Sequence, residues 1–325
     1  MGLFAYLPLL LPLCAAAGAR PIAAHLPPAL ATWLLTGVAV ALAAMSTAVL
    51  GLLALTAVLR IPLVASVAHL SATVIRRDDP ASLTAALGAA ALLVAAVLAA
   101  ARAGWRRARA LVQAARKARC LPGSGQLVVI PDRAVDAYTA PGWPSRIVVT
   151  AGMLDALAPA ERPVLLAHER AHADNHHYMF TALSYFACAA NPLLRPVATA
   201  VSYTVERWAD EAAAGQCGDR RLAATAVAKA ALASSRTAAA PARGLAAVTG
   251  IAGVPDRVTW AARRRTPGPV PRRVAALLAP APSVRPSLVA AAAIVVLVSA
   301  VAVLDAYSDL HAVVELAQVS VAPRP

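Results

Sequence analysis

A chain of 325 residues is long enough for two ordinary soluble domains, but 60% apolar residues, 14% charged residues and a mean hydropathy of +0.65 exclude that organisation and indicate a membrane protein. The net charge of +14 would suit a nucleic-acid binder. Here the basic residues flank apolar blocks, where they report membrane topology and attraction to anionic lipid, so no nucleic-acid partner is expected.

Taken in chain order, the first apolar block, Leu3 to Ala19, reads as a retained span, because it lacks a basic flank ahead of it and contains Pro8 and Pro12. Ala29 to Leu59 exceeds the roughly 20 residues a bilayer requires, so it spans with tilt or protrudes. A third span, Pro80 to Ala101, is followed by Arg102, Arg106, Arg107, Arg109, Arg116, Lys117 and Arg119, which places that end in the cytoplasm. Leu288 to Leu304 is the fourth. The resulting topology has both termini outside, with three crossings before a cytoplasmic region and one after it.

Within that region Gln126 to Ile130 and Arg146 to Thr150 are short β-branched runs between turn residues, and read as two strands. From Pro159 the pattern becomes helical, with Val164, Leu165, His168, Ala171 and His172 recurring on one face. Phe180 to Val201 is apolar, but Asn191-Pro192 and Arg195-Pro196 interrupt it, so it reads as two buried or interfacial helices. Leu222 to Ala240 reads as helix, and Arg257 to Pro286 as an Arg- and Pro-rich loose linker.

The chemistry centres on His168-Glu169-Arg170-Ala171-His172. Histidines four apart on a helix lie about 40° around its axis, so both imidazoles can reach one metal ion. Glu169 points roughly 100° away, which suits a general base acting on water. A catalytic zinc takes three protein ligands, and Glu206 can complete a His-His-Glu set. Asp210, one turn further, can hold a ligand's outer ring nitrogen. His176 is a possible substrate contact, on the expectation that it lies one turn beyond His172 on the same helix. The four cysteines, Cys14, Cys120, Cys188 and Cys217, have no C-x-x-C spacing, so neither a thiolate metal site nor a disulfide framework is indicated.

The stretches Ala137 to Gly142, Ile147 to Leu154, Leu165 to His172 and Glu206 to Ala212 together resemble integral-membrane gluzincins. They look most like the BlaR/MecR-type antirepressor peptidases, and the related HtpX-like membrane proteases share the core motifs. The resemblance implies one zinc per chain bound by His168, His172 and Glu206, with Glu169 as base and Asp210 in support. It also implies that the strand Arg146, Ile147, Val148, Val149 and Thr150 lines the cleft and pairs with an extended substrate. The β-lactam-sensing antirepressors carry a penicillin-binding domain after the last span. This sequence runs only about twenty residues beyond that span, too few for such a domain, so direct β-lactam sensing is not expected.

The expected architecture is a predominantly α-helical membrane protein of about four transmembrane helices, with a cytoplasmic α+β gluzincin-type zinc peptidase domain between the third and fourth. Its parts are a three-span region (1–101), a basic juxtamembrane segment (102–119), the peptidase domain (120–256), a linker (257–286), the fourth span (287–304) and a short outer tail (305–325). The expected function is zinc-dependent endoproteolysis of a cytoplasmic or membrane-adjacent protein, such as a repressor. The alternatives are membrane-protein quality control of the HtpX type, or a non-catalytic zinc-binding membrane sensor. The expected partners are a protein or peptide substrate and the lipid bilayer.

Overall fold

The computed structural model describes residues 3–67, 82–121, 125–140, 142, 145–238 and 268–319. It is mostly helical. After a short 3-10 turn at Leu3–Tyr6 come α1 (Leu7–His25), α2 (Pro28–Leu59), α3 (Pro62–Val67) and α4 (Leu83–Arg119). A three-stranded sheet follows, with β1 (Leu127–Ile130), β2 (Ala137–Ala140) and β3 (Arg146–Thr150). Then come α5 (Ala151–Ala156), α6 (Arg162–Asp174), α7 (His177–Ala190), α8 (Arg195–Cys217), α9 (Arg220–Ala238), α10 (Pro269–Leu278) and α11 (Pro286–Val319).

Among the described residues, four helical stretches are long and apolar enough to cross a membrane: Phe4–His25, Pro28–Leu59, Leu83–Arg119 and Pro286–Val319. The first two are antiparallel and meet at an elbow, where Pro27 and Pro28 supply the fixed φ that lets α2 start without a lost N–H. Two of the expected segments are parts of longer helices. The basic stretch 102–119 continues α4 without a break, and the helix α11 carries on past Asp305 to Val319, so the expected tail is helical over most of its length.

The largest apolar core joins α1, α2, α7, α8 and α11, and Ala19, Ala23, Leu26, Leu35, Leu42, Leu194, Val197 and Val201 lie in it. Ala31, Ala39, Ala43, Ala187, Ala200 and Ala292 belong to the same core, and their small side chains let the helices approach closely. A few polar bonds fix the register. Thr32 donates to Thr204 Oγ1 at 2.9 Å, Ser46 donates to Pro8 O at 2.7 Å, and the Asn191 amide donates to Ser46 Oγ at 3.0 Å. The Arg207 guanidinium, 3% exposed, donates to Ala23 O at 2.7 Å and ties the α1–α2 elbow to α8.

Residues 180–201 form two helices, α7 and the start of α8, as expected, joined through a 3-10 turn at Pro192–Leu194. Asn191 caps that turn by accepting the Leu193 N–H.

The sheet order is β1-β3-β2, with β3 parallel to β1 and antiparallel to β2. β2, absent from the sequence reading, is a four-residue Ala-Tyr-Thr-Ala run with too little β-branching to register as a strand. Its presence corrects the expectation for Arg146 to Thr150. β3 is the central strand, hydrogen-bonded on both sides, so Arg146, Ile147, Val148, Val149 and Thr150 have no free edge to offer a substrate. Instead Ile147 and Val149 are buried in one cluster with Leu165 of α6, Val148 is buried as well, and Arg146 donates to Ala118 O and Leu121 O at the end of α4. The loop before β2 packs so tightly on α5 that a Cβ at Gly152 would lie 2.3 Å from Arg133 O, which only glycine avoids.

The loose-linker reading of residues 257–286 also needs correction. Residues 257–267 lie outside the described residues, but Pro269–Leu278 is a helix that packs Val274 and Leu277 against α9 and its neighbours. Proline at its first position masks the helix in the sequence, although proline is well tolerated there.

Candidate metal centre

α6 begins at Glu161, which accepts the Ala158 N–H at 2.8 Å and a bond from Lys229. Pro163 lies in the helix's first turn, where its missing N–H costs little. The apolar face of α6, Val164, Leu165 and Ala167, is buried against the sheet, α8 and α9. That packing turns His168 and His172 towards α8, where Glu206 lies opposite.

His168, His172 and Glu206 each present a ligand atom, and these atoms all lie within 4.8 Å of one another. His168 Nε2 and His172 Nε2 are 3.1 Å apart. Glu206 Oε2 is 3.8 Å from the first and Oε1 3.6 Å from the second. Donors around a tetrahedral zinc stand about 3.3–3.4 Å from one another, so this triangle fits that ion. The charge fits as well. Glu206 and Asp210 share one guanidinium, that of Arg273, whose single positive charge does not balance both carboxylates and leaves negative charge for a divalent cation to offset.

Asp210 is 2% exposed at its side chain, and its Oδ1 is 3.1 Å from His168 Nδ1, close but not aligned for a hydrogen bond. It is held by Arg273, whose Nε and Nη2 donate to its two oxygens at 2.7 and 2.6 Å, while Nη1 lies 2.8 Å from Glu206 Oε2. Arg273 is thus shared between the proposed ligand and the residue behind His168. Sequence reasoning missed it because it falls in the stretch read as linker. The signal was the helical recurrence of Val274, Leu277 and Leu278 after two prolines.

Burial works against charge on every group here; the neighbours outweigh it at Asp210, Glu206 and His168, and it prevails at His172 and Glu169. Burial alone would push Asp210 up, but Arg273 and His168 bring it down to about 2. Glu206 is likewise held below the usual carboxylate range by Arg273 and the two histidines. Burial lowers His172 to about 4, so it is neutral and available as a ligand. His168 is raised despite its burial, because Asp210 favours its charged form. Glu169, 7% exposed, is raised chiefly by burial, against the opposing pull of His168 and of a 3.0 Å hydrogen bond from the Thr139 hydroxyl to Oε2. The same hydroxyl lies 2.8 Å from Glu169 O, so Thr139 on β2 pins the glutamate and its helix together.

His176 is not where the sequence reading put it. α6 ends at Asp174, and His176 takes the left-handed conformation, φ 51°, that turns the chain into α7. Its Nδ1 is 3.0 Å from Ala173 O, and its ring stacks on Tyr178. The reversal brings His177 under the cluster instead, with Nδ1 2.9 Å from His172 Nδ1. Burial and the neighbouring His172 hold His177 down to about 3.

The family pattern of Peptidase family M48 matches residues 100–191, from the basic half of α4 through the sheet, α6 and α7. No curated protein and no solved structure matches the chain. The match contains His168, Glu169 and His172 and stops short of Glu206 and Asp210, which the fold brings to the same place. Over this stretch the chain is similar to a family of zinc-dependent metallopeptidases, carried on a helical scaffold with four helices apolar enough to cross a membrane.

Proposed function

We propose that the chain is a multi-pass membrane zinc endopeptidase that hydrolyses peptide bonds of a cytoplasmic or membrane-adjacent protein. The observation that carries this reading is the convergence of His168, His172 and Glu206 with Glu169 one residue away on the same helix. His168, His172 and Glu206 would hold one zinc ion, which when bound supplies a Lewis acid that polarises a carbonyl and acidifies water. Glu169 is the proton carrier: its carboxylate takes a proton from the attacking water and returns it to the departing amine. Its burial favours this work, since a raised pKa makes the glutamate a stronger base while Thr139 keeps the carboxylate in place.

An extended substrate fits the edge of β2 better than β3. Thr150 N–H bonds Asp136 O at 3.0 Å, which sets the phase of the antiparallel pair. Tyr138 and Ala140 then bond to β3, and Thr139 turns its backbone N–H and C=O outward beside Glu169. A peptide strand laid along that edge would run past the base.

The basic half of α4 favours a cytoplasmic site with both termini outside, because Arg and Lys collect on cytoplasmic flanks. A reporter at residue 110 that behaves as external would overturn that orientation. Within the peptidase class, cleavage of one repressor-like protein, as in the BlaR/MecR type, is the leading role. One defined soluble protein would then accumulate in cells carrying Glu169→Gln, whereas accumulation of many damaged membrane proteins would point to quality control. Glu169→Gln should retain stoichiometric zinc and lose roughly 10²-fold or more of its proteolytic rate. Wild-type turnover in this zinc-loaded variant would refute the assignment of the base.

A further inference from the structure

We propose that His177 positions His172 as a metal ligand, by accepting a hydrogen bond from His172 Nδ1 and so fixing the ring with Nε2 turned to the ion. The inference rests on the zinc reading above and concerns how this chain builds one of the ligands.

A histidine that coordinates through Nε2 keeps its proton on Nδ1, and something must receive that proton's hydrogen bond. For His172 the atom in place is His177 Nδ1, at 2.9 Å. Two ring nitrogens at that distance share one proton, so His177 accepts at Nδ1 and carries its own proton on Nε2. That Nε2 is buried without a partner, in a side chain 1% exposed and packed on Trp208 at a centroid distance of 4.7 Å. A buried polar atom left unpaired costs about 1–3 kcal/mol. An apolar ring against Trp208 and Phe180 would avoid that cost. What the histidine provides instead is its one hydrogen bond among the described residues, the bond to His172.

The backbone is shaped to make this contact. In a continuous helix a residue five positions on lies about 140° around the axis and faces away. The chain avoids this by ending α6 at Asp174 and placing His176 in the left-handed region. A left-handed conformation costs a non-glycine residue about 1–2 kcal/mol. The two ligand histidines are thus backed differently: His168 by Asp210 with its arginine, His172 by a neutral imidazole.

The test uses the purified full chain in detergent, with zinc affinity measured by chelator competition and the electronic spectrum recorded after cobalt substitution. His177→Phe should weaken zinc binding roughly 10–100-fold and alter the cobalt spectrum. His177→Asn places an oxygen where Nδ1 stood, and should restore both to near wild type. His177→Gln places its amide at the Nε2 position and should remain weak. Unchanged affinity and spectrum in His177→Phe would overturn the proposal, as would Asn no better than Gln, a comparison that decides the matter if the Phe variant does not fold. A wild-type protein that takes up no zinc would overturn the zinc reading itself, a result distinct from either.

Discussion

Helix α8 runs through two chemically unlike regions. Its first half, with Val197, Val201 and Val205, is buried in the apolar bundle of α1, α2, α7 and α11. Its second half carries Glu206 and Asp210 into a cluster of ionisable groups that also holds His168, His172 and Arg273. In the bundle, close Ala packing and a few hydroxyl bonds set the geometry. At the metal centre, nearly every contact depends on the charge of its neighbour. The bundle should therefore tolerate loss of a polar group, while the centre should fail when one charge is removed.

The largest test of that contrast is Arg273→Met. Asp210 would be left ionised and buried without its partner, and breaking a buried pair in this way costs about 3–5 kcal/mol. The variant should unfold at lower temperature and bind zinc more weakly, because Glu206 loses the same arginine. Unchanged melting would mean that the cluster is not the electrostatic unit its geometry suggests.

A smaller effect is expected at Glu161, at the start of α6. Burial would push this carboxyl up, but bonds from Lys229 and the Ala158 N–H outweigh it and leave it below its ordinary value. A carboxylate whose folded pKa is depressed contributes stability that is fully present above its unfolded pKa of about 4.3 and is lost as pH falls through the folded value. Glu161→Gln should therefore destabilise the protein near neutrality, and the gap from wild type should close in acid. A gap that stays constant across an acid titration of thermal unfolding would remove the pairing as its cause.

The smallest effect belongs to the bundle. Thr32→Val removes a hydroxyl that donates to Thr204, in a core where such bonds are worth about 0.6 kcal/mol. Stability should fall slightly and zinc affinity not at all. A loss of zinc affinity here would show that the two regions are coupled more tightly than their chemistry implies.

Much of this was legible in the sequence, for reasons that differ from residue to residue. Four helices apolar enough to span were expected from hydropathy, because a bilayer imposes length and composition together. The convergence of His168, His172 and Glu206 was readable because helical spacing fixes the first two and a carboxylate-bearing helix follows. Arg273 was hidden because its helix lies beyond a long Ala- and Arg-rich stretch and starts among prolines, and only tertiary contact with Asp210 gives it meaning. His177 was hidden because its contact with His172 depends on one left-handed residue, which no periodicity predicts. The order of the strands was unreadable for a similar reason: β2 is short and weakly β-branched, so the centre of the sheet was taken for an edge.

The turn at Asn191 has a consequence for parity. α7 has 14 residues, about 21 Å of helix, short of the roughly 30 Å of a hydrocarbon core, and the chain then doubles back along α8. A passage to the far side between His172 and Glu206 would have put an odd number of crossings between them and set two members of one triad on opposite faces of a membrane. The polar tip, its amide bonded to Ser46 in the middle of α2, returns the chain along α8, so His172 and Glu206 meet at the same end of α7 and α8.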